Sequence, residues 1–538
     1  MRNMRRNLAA LLLTAALVIF VQLAAVAARQ DIIILHTNDM HCGVNDNIGL
    51  AGVAQLKKEA LAQTPHVVLV DAGDAVQGAP IGNLSQGEAV VSLMNAVGYD
   101  FCAPGNHEFD YGMERFLELA GKRQGGYYSA NFLDARTGRP VLKPYELMDF
   151  DGTKIAFVGA VTPATFTSST PLYFQNADGK YIYSFCEDAD GRKLYRQLQK
   201  YIDAARQEGA QYVFLVAHLG VNGSLPQWSS ASVAQNTTGV TAIIDGHSHE
   251  SFVRVVQNKI GQDVLLAQAG TKLNRVGEIR LSPSGKLSAK LFTVAPGKDA
   301  RVAQIISQEM AAYAELLRQP VGEAAVRLAS YDARTGKRLV RSRECNLGNF
   351  AADAYRTVLD CDVALANGGG IRNEIEPGLI SYQDILEVFP FANQCVVVQA
   401  TGQQLLDCLE LGAMRYPDES GGFMQVAGLT YTINSHIPSG VALDEKGRFV
   451  KVAGAYRVSE VRVGGEPLDV NKKYTVGGTA YILQNGGDGM TMFKDAPVVK
   501  KATLNEVDVI IEYLQNHLNA AIGEQYADAY GDGRIKIK

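Results

Sequence analysis

Four apolar runs in the first half of the chain each end in a cluster of Asp, Asn, His and Gly residues. The runs and their polar ends span residues 31–41, 67–74, 212–218 and 242–249. Continuous runs of Val, Ile and Leu are typical of strands that are buried on both faces. Helical patterns lie between them over 52–63 and 189–208. The sequence therefore predicts a layered α/β domain whose strands end in polar residues, where ligands bind in such sheets.

The chain is long enough for two large domains, since it has 538 residues. The strand pattern changes between residues 282 and 321, where Pro-Ser-Gly and Ala-Pro-Gly breaks precede a helical pattern over 301–318. We interpret this helix as a connector. The predicted boundaries are an N-terminal domain at 29–298, a linker helix at 299–321 and a second α/β or α+β domain at 322–538.

The first 28 residues have the pattern of a secretory signal peptide. Three arginines in the first six residues precede an uncharged stretch over 7–28 that contains Ala-Val-Ala at 25–27. This stretch approaches the length that spans a bilayer, so an uncleaved anchor helix is the alternative. We expect a periplasmic or extracellular protein, in contact with a membrane only if the N-terminal segment stays uncleaved.

The net charge of the chain argues against duplex nucleic acid as a partner. The 51 Lys and Arg residues are outnumbered by 56 Asp and Glu residues, for a formal net charge of -5. Such a chain lacks the broad cationic field that binds a nucleic-acid duplex through its phosphates. We therefore expect no duplex DNA or RNA as a partner.

The seven cysteines do not form a dense disulfide framework in so long a chain. No C-x-x-C spacing occurs, which disfavours a cysteine zinc site. Cys345, Cys361, Cys395 and Cys408 remain open to two interpretations, pairing in an oxidising compartment or burial as small apolar side chains.

Residue types that bind transition metals recur at the ends of the apolar runs. In chain order they are Asp39-x-His41, Gly73-Asp74, Gly105-Asn106-His107-Glu108, His218 and Gly246-His247-x-His249. Imidazole and carboxylate groups suit divalent transition metals, and two metals about 3.5 to 4 Å apart need a carboxylate that bridges them. Each fragment alone is common in proteins. Their joint occurrence in this order predicts a site for two metals.

With these motifs, the sequence resembles the calcineurin-like metallophosphatases and, more closely, the 5'-nucleotidase and UDP-sugar hydrolase family. Four motifs are similar to that family's C-terminal domain: Asn346-Leu-Gly-Asn349, Asn367-Gly-Gly-Gly-Ile-Arg372, Phe389-Pro-Phe391 and Asn485-Gly-Gly-Asp-Gly489. The resemblance covers nearly the whole chain after the signal segment. It implies an α/β protein with an N-terminal four-layer β-sandwich flanked by helices, joined by a helix to a C-terminal α/β nucleotide-binding domain.

The resemblance also implies the metal ligands. One metal would be held by Asp39, His41, Asp74 and His249, and the other by Asp74, Asn106, His218 and His247, with Asp74 as the bridge. The expected cofactors are two divalent ions, Zn, Mn or Co. His249 stands where several nucleotidases carry Gln or Asn, a departure that bears on the metal preference.

His107 and Asp110 are the implied catalytic pair. Two dications lower the pKa of a bound water, so that hydroxide exists near neutral pH and attacks phosphorus in line with the leaving group. His107 would donate a hydrogen bond or a proton to the phosphoryl group or to the departing oxygen. Asp110 would fix the tautomer of His107 and favour the imidazolium. A local turn contact is the alternative interpretation of this pair.

The resemblance assigns substrate recognition to the second half of the chain. Arg341, Asn367 and Arg372 would contact the phosphate, ribose or base of a nucleotide, with the guanidinium groups suited to bidentate binding of anions. Phe391 would stack on the base, and Asp488 would bind the ribose hydroxyls.

The second aromatic residue of the family's base clamp is replaced. Ile482 aligns with that position, and Tyr481 is its neighbour. Either Tyr481 turns into the clamp, or the clamp has one aliphatic wall and Tyr481 belongs to the core. Both interpretations remain open at the level of sequence.

The predicted function is that of an exported, metal-dependent 5'-nucleotidase that converts nucleoside 5'-monophosphates to nucleoside and phosphate. UDP-sugar pyrophosphatase and 2',3'-cyclic-nucleotide phosphodiesterase activities are alternatives, because they use the same metals and base clamp. A sulfur-ester hydrolase is less favoured, since no motif replaces the nucleotide clamp. A non-catalytic nucleotide-binding or adhesion protein would have no need of the full set of metal ligands.

Overall fold

The structure is a computed structural model that describes residues 30–221 and 225–538. The segment interpreted as a signal peptide, residues 1–28, lies outside the described residues. Within the two described ranges, no helix combines the length and the hydropathy that crossing a membrane requires.

Two sheets packed face to face form the first half of the chain. Their strands are β1 (Ile32–Thr37), β2 (Val67–Asp71), β3 (Phe101–Cys102), β4 (Tyr145–Phe150), β5 (Thr153–Val161), β6 (Tyr212–His218), β7 (Ala242–Ile244), β8 (Ser251–Gln257), β9 (Asp263–Ala269), β10 (Val276–Leu281) and β11 (Leu287–Phe292). The strand orders are β11-β10-β1-β2-β3 and β8-β9-β7-β6-β5-β4. Strands β1 to β3 run parallel to one another, and so do β5, β6, β7 and β9.

Helices cover the outer faces of both sheets. They are α1 (Gly49–Leu61), α2 (Pro80–Ser85), α3 (Glu88–Val97), α4 (Met113–Lys122), α5 (Thr165–Ser168), α6 (Arg192–Gln207) and α7 (Ser230–Asn236). Along β1, Ile32 and Ile34 pack between the two sheets, whereas Ile33 and Leu35 pack under the helices. Because both faces of the strand are covered, its sequence is continuously apolar. The predicted four-layer sandwich is confirmed.

The predicted connector helix is interrupted. Instead of one helix over 301–318, the chain forms α8 (Ala300–Ala311) and α9 (Ala314–Leu317). At the break, the Tyr313 N–H donates to the Met310 carbonyl at 3.2 Å, a tighter turn than an α-helix makes. The Tyr313 side chain packs against the core of the first half, while Leu317 packs against the core of the second half. The prediction of one helix was wrong because its two ends bury apolar side chains in different cores.

The second half is built on a five-stranded mixed sheet with smaller sheets beside it. Its strands are β12 (Pro320–Ala324), β13 (Val363–Asn367), β14 (Gly378–Ser381), β15 (Gln394–Thr401), β16 (Met424–Ala427), β17 (Leu429–Ile433), β18 (Val441–Leu443), β19 (Phe449–Val452), β20 (Val458–Val463), β21 (Glu466–Pro467), β22 (Lys473–Thr479), β23 (Val498–Asn505), β24 (Ala521–Ile522) and β25 (Ile535–Ile537). The main sheet has the order β16-β13-β22-β15-β23. A second sheet has the order β21-β20-β17-β25, and β18 pairs with β19 in a hairpin.

The helices of this half complete an α/β arrangement. They are α10 (Asn346–Leu359), α11 (Tyr382–Val388), α12 (Gly402–Ala413), α13 (Ala480–Leu483) and α14 (Glu506–Glu512), followed by a π-helical turn at Tyr513–His517. Helix α10 begins at Asn346. The two-domain α/β class is therefore confirmed.

The cysteines make no disulfide in the described residues. All seven are free thiols, and all but Cys361 are buried. Of the two interpretations left open by the sequence, burial as small apolar side chains describes Cys345, Cys395 and Cys408.

Gly159 should be intolerant of any side chain. A Cβ at this position of β5 would lie 1.9 Å from the backbone carbonyl oxygen of Tyr128, which has no room to move away. We expect Gly159→Ala to lower the free energy of unfolding by about 1–3 kcal/mol through overpacking. Denaturant unfolding followed by circular dichroism measures this change.

Gly121 is the matched control. It is an exposed residue of α4 with open space around a Cβ, and Gly121→Ala should raise helix stability by about 0.5–1 kcal/mol. If Gly159→Ala changed the free energy of unfolding no more unfavourably than Gly121→Ala, the close contact at Gly159 would be contradicted.

Candidate metal centre and substrate cleft

The strand ends of the two sheets carry the residues that the sequence marks as metal ligands. Asp39 follows β1, and Asp74 follows the neighbouring strand β2. In the second sheet, β6 ends at His218 itself, and His247 comes three residues after β7. Because these strands end at the same edge of the sandwich, their polar ends converge on one region.

The converging side chains form two groups that share one carboxylate. Asp39, His41, Asp74 and His249 have ligand atoms within 4.8 Å of one another, and so do Asp74, His218 and His247. The Asp74 carboxylate belongs to both groups, as a bridging ligand would. Six of the seven predicted ligands are thus assembled without any rearrangement. The seventh, Asn106, has a buried side-chain oxygen without a hydrogen-bond partner in the described part of the chain.

The backbone is unusual at most of these residues. The φ angle lies in the left-handed region at five of them: Asp39 (50°), His41 (46°), Asp74 (58°), His247 (78°) and His249 (58°). Non-glycine residues adopt this conformation only when the surrounding structure imposes it, and such residues cluster at functional sites. The strained loops turn the ligand atoms toward the centre of the cluster.

The hydrogen bonds around the cluster bring ligand atoms close to one another. His218 Nδ1 lies 2.7 Å from the Ala72 carbonyl oxygen, so it carries a proton. His218 Nε2 lies 3.0 Å from Asp74 Oδ2. His41 Nε2 and His249 Nε2 are also 3.0 Å apart. Each pair needs a proton or a metal ion between its atoms, and imidazole and carboxylate groups gathered in this way fit two divalent cations.

Electrostatics couples the members of the cluster strongly. Burial lowers the pKa of His218, but the carboxylates of Asp74 and Asp39 outweigh burial and raise it to about 10. Burial also raises the pKa of Asp74, yet the nearby imidazoles of His218 and His107 hold it well below its usual range. The Asp74 carboxylate therefore stays ionised, which is the state that binds a metal.

Glu108 anchors the loops of the site, a part that the sequence analysis did not assign. It is 1% exposed and accepts hydrogen bonds from the backbone N–H groups of Asp74 at 2.8 Å, Ala75 at 2.7 Å and Gly105 at 2.5 Å. These bonds tie the loop of Asp74 to the loop that contains Asn106. The only sequence signal for this residue was its place directly after His107 in the same motif.

His107 and Asp110 make the predicted contact. His107 Nδ1 lies 2.5 Å from Asp110 Oδ2, and the His107 backbone N–H donates to Asp74 Oδ1 at 2.8 Å. Burial lowers the pKa of His107, but the carboxylates of Asp110 and Asp74 outweigh burial and raise it. Ser169, which the sequence did not single out, donates to Asp110 Oδ1 at 2.9 Å. The carboxylate of Asp110 is thus fixed from both sides.

A cavity of 1170 Å³ lies between the two halves of the chain and reaches the metal-ligand cluster. From the first half, Asp74, Asn106, His107, Asp110 and His247 line it. The predicted substrate residues of the second half all line the same cavity: Arg341, Asn367, Arg372, Phe391, Tyr481 and Asp488. A molecule in this cavity touches both domains.

The wall of the second half combines an aromatic ring, a carboxylate and guanidinium groups. Asn367 Nδ2 donates to Asp488 Oδ2 at 3.0 Å, and burial raises the pKa of Asp488 to about 6. The Arg372 guanidinium lies 5.8 Å from the centre of the Phe391 ring, which is 5.6 Å from the His107 ring. The ring of Phe391 therefore lies next to the His107–Asp110 pair.

Tyr481, rather than Ile482, faces the cleft. The Tyr481 hydroxyl donates to the Thr167 carbonyl of the first half at 2.9 Å and accepts from the Asp488 N–H at 3.1 Å. Ile482 is 0% exposed and belongs to the core of the second half. Only the tertiary structure shows which of these two neighbours faces the cleft, because the local sequence pattern allows either.

Arg338 is a further cleft arginine that the sequence analysis missed. It lines the cavity with Arg341 and Arg372, and its Nε donates to Glu419 at 2.6 Å. Arg341 Nε is buried and has no hydrogen-bond partner among the described residues. Burial and the guanidinium groups of Arg338 and Arg372 lower the pKa of Arg341. The positive charge of these arginines makes this wall of the cleft suitable for binding an anion.

Direct contacts hold the two halves together around the cavity. Lys446, in the turn of the β18–β19 hairpin, forms an ion pair with the buried Glu187 of the first half, and its Nζ lies 4.5 Å from the Phe166 ring centre. On the other side, Asn83 Nδ2 donates to the Pro390 carbonyl at 2.7 Å. The two halves therefore touch each other at two separate places.

Comparisons with known proteins agree with this geometry. Residues 32–251 match the family described as calcineurin-like phosphoesterase, and residues 320–495 match the 5'-nucleotidase C-terminal domain. The chain is 27% identical to the 5'-nucleotidase of Vibrio parahaemolyticus, over 91% of this chain and 90% of that protein. It is 28% identical to a trifunctional nucleotide phosphoesterase protein of Bacillus subtilis, over 94% of this chain and 35% of that protein. A crystal structure of a 5'-nucleotidase precursor from Thermus thermophilus has a TM-score of 0.78 and 26% identity, and covers 94% of this chain and 99% of that one.

The shared carboxylate predicts how metal content responds to substitution. We expect the purified protein to bind ~2 equivalents of Mn, Zn or Co, Asp74→Ala to bind almost none, and His249→Ala to keep ~1, because Asp74 serves both groups. Elemental analysis after dialysis measures the stoichiometry.

The exposed Asp46 lies on the loop beside His41 but belongs to neither group, so Asp46→Asn should keep both ions. Retention of both ions by Asp74→Ala would contradict the bridging assignment.

Proposed function

We propose that this chain, which belongs to the 5'-nucleotidase family of calcineurin-like phosphoesterases, hydrolyses nucleoside 5'-monophosphates to nucleoside and phosphate. One observation carries the proposal. A buried Asp/His cluster suited to two metal ions and a wall with an aromatic ring, a carboxylate and arginines open into the same cavity. A nucleotide has the matching parts, since its phosphate suits the cluster and its nucleoside suits the wall.

The proposed metal ligands are the residues of the two groups. Asp39, His41, Asp74 and His249 would hold one ion, and Asp74, Asn106, His218 and His247 the other. When bound, two divalent cations supply a hydroxide near neutral pH and offset the negative charge of the phosphoryl oxygens. The unpartnered oxygen of Asn106 and the close approach of His41 Nε2 and His249 Nε2 support this assignment.

His107 is the proposed proton donor. Its Nδ1 is engaged by Asp110, which leaves Nε2 as the atom that can donate to the phosphoryl group or to the departing oxygen. Asp110 accepts the proton on Nδ1 and favours the imidazolium, in which Nε2 also carries a proton, and Ser169 holds Asp110. The raised pKa of His107 keeps a proton available there near neutral pH.

The second half would bind the nucleoside. Phe391 offers a face for stacking on the base, and Asp488 offers carboxylate oxygens to the ribose hydroxyls. Tyr481 lies on the cleft side of its neighbour Ile482 and is the proposed second wall of the base clamp. Arg341 and Arg372 would contact the phosphate or the groups next to it.

A substrate with a second phosphate is a further candidate. Four arginines line the cavity, namely Arg338, Arg341, Arg372 and Arg415, and Arg338 forms an ion pair with the partly exposed Glu419. One phosphate held by two dications leaves part of this positive charge unused. UDP-sugar pyrophosphatase activity therefore stays a candidate, together with 2',3'-cyclic phosphodiesterase activity, and the Bacillus subtilis relative is itself described as trifunctional.

Export and the domain boundaries belong to the same proposal. Residues 1–28 would direct the chain to the periplasm or out of the cell, with membrane contact only if they stay attached. The proposed domains are 29–298 and 322–538, joined by the linker at 299–321. The separate apolar cores of the two halves and the break at Tyr313 support this division.

A substrate panel tests the activity. We expect AMP and UMP to release phosphate, chelator to stop turnover, and added Mn, Zn or Co to restore it, because the hydroxide depends on the metals. Phosphate release from AMP and UMP is measured under each condition, together with the formation of nucleoside monophosphate from UDP-glucose and from 2',3'-cyclic AMP by chromatography. Turnover that persists in chelator would refute the two-metal mechanism, and faster turnover of UDP-glucose than of AMP would favour the second candidate.

Substitution of Phe391 tests base recognition separately from chemistry. Loss of stacking, worth about 1–3 kcal/mol per base, should raise the KM of Phe391→Ala for AMP by ~10-fold or more and change kcat less. The control substrate is p-nitrophenyl phosphate, which has no nucleobase and should be hydrolysed with little change. An equal loss for both substrates would show that Phe391 does not bind the base.

A further inference from the structure

Glu506 is a buried carboxylate that lies outside the metal centre. It is the first residue of α14 and is 2% exposed. A buried carboxylate is unfavourable unless hydrogen bonds or a cation compensate for the lost water. Its compensation comes from hydrogen bonds, and most of them lead to one residue, Asn393.

Asn393 is bound to Glu506 through both its backbone and its side chain. Glu506 Oε1 accepts from the Asn393 backbone N–H at 2.9 Å and from its Nδ2 at 3.2 Å. The Glu506 N–H donates in return to the Asn393 carbonyl at 2.9 Å. The remaining carboxylate oxygen, Oε2, accepts from the Tyr355 hydroxyl at 3.2 Å. Asn393 is therefore fixed in place by a residue that is distant in the sequence.

Asn393 ends the loop that carries Phe391, so the hydrogen bonds between Asn393 and Glu506 bear on the position of Phe391. Ala392, between the two, has a φ of 49°, a conformation that a residue with a Cβ adopts only when its neighbours impose it. The ring of Phe391 then lies in the cavity, beside His107 and Arg372. The bonds from Glu506 compensate for the left-handed turn at Ala392.

The charge of Glu506 changes near neutral pH. Burial raises its pKa to about 7, although the hydrogen bonds from Asn393 and Tyr355 act in the opposite direction. The other titratable groups that face it are the Tyr355 hydroxyl on α10 and the Cys395 thiol on β15, and burial raises the pKa of both. These two stay neutral through the range in which Glu506 titrates.

The ionised form suits the loop better than the neutral form. The three groups that contact the side chain are donors, and a carboxylate accepts from all of them. The neutral acid carries a hydrogen on one oxygen, so that one of these contacts is lost or reversed. The hydrogen bonds between Glu506 and Asn393 should therefore be stronger above about pH 7 than below it.

We propose that Glu506 is a positioning residue for nucleoside binding, whose carboxylate holds Asn393 and thereby keeps Phe391 facing the cavity. The inference rests on the proposed function, because it takes Phe391 as the residue that stacks on the base. Glu506 touches no substrate. It should affect the affinity for the nucleoside part and leave the hydrolytic step nearly unchanged.

Adenosine binding to the metal-loaded, full-length protein tests the proposal, since adenosine has no group that titrates near neutral pH. Isothermal titration calorimetry between about pH 5.5 and 8.5 compares the wild type with Glu506→Gln. Gln is isosteric with the neutral acid and keeps an acceptor for Asn393, so the variant should fold. We expect wild-type affinity to rise about three- to tenfold more over this range than the affinity of Glu506→Gln.

Asp488 also titrates in this range, but it is present in both proteins. The difference between the two curves therefore reports Glu506 alone. At the upper end of the pH range the KM of Glu506→Gln for AMP should rise by the same factor with kcat nearly unchanged, and p-nitrophenyl phosphate hydrolysis should not respond. Glu512→Gln, almost two turns further along α14, is the matched control and should behave as the wild type.

Tyr355→Phe provides a second test that keeps the carboxylate. It removes one donor that favours the ionised form, so the midpoint of the pH dependence should move upward. An unchanged midpoint in Tyr355→Phe would overturn the positioning role. So would adenosine affinities of Glu506→Gln that match the wild type at every pH while Phe391→Ala weakens adenosine binding. Either result would leave the proposed function intact. If Phe391→Ala binds adenosine as the wild type does, both the base assignment and this inference are wrong.

Discussion

The structure of the site depends on one carboxylate that serves two groups of ligands. Asp74 lies within reach of His41 and His249 on one side and of His218 and His247 on the other. Its position is set by a left-handed backbone at the end of β2 and by Glu108, which accepts the Asp74 N–H. Because buried carboxylates and imidazoles gathered in this way suit cations, this part of the fold fits two metal ions.

The cavity joins this centre to a second wall made by other elements of the chain. The loop around Phe391 is the junction between them. Gln77 Nε2 and Asn83 Nδ2 both donate to the Pro390 carbonyl, and the Gln77 carbonyl in turn contacts His41 Nδ1 at 3.1 Å. The same loop is held from behind by Glu506 through Asn393. A short chain of hydrogen bonds therefore connects the Phe391 loop in one half with the metal-ligand candidate His41 in the other.

Features encoded in short stretches of sequence were predicted well. The apolar runs at 31–35, 67–71 and 212–217 became β1, β2 and β6, because a strand buried on both faces must be apolar throughout. The polar residues at their ends converged, because parallel strands of one sheet end at the same edge. The role of each converging residue followed from resemblance to a family, and the geometry agrees with its being at a common centre.

Features that depend on distant contacts were not predictable in this way. The connector breaks at Tyr313 because its two ends pack on different cores, and Tyr481 faces the cleft because Thr167 of the other domain accepts its hydroxyl. Glu108, Arg338 and Glu506 carried no distinctive local pattern. The sequence by itself determined the layered strands, the metal-binding residue types and the two-domain order, since these follow from local hydrophobicity and spacing. Only the tertiary structure decided which side chains meet across the cleft, because that depends on contacts between residues far apart in the chain.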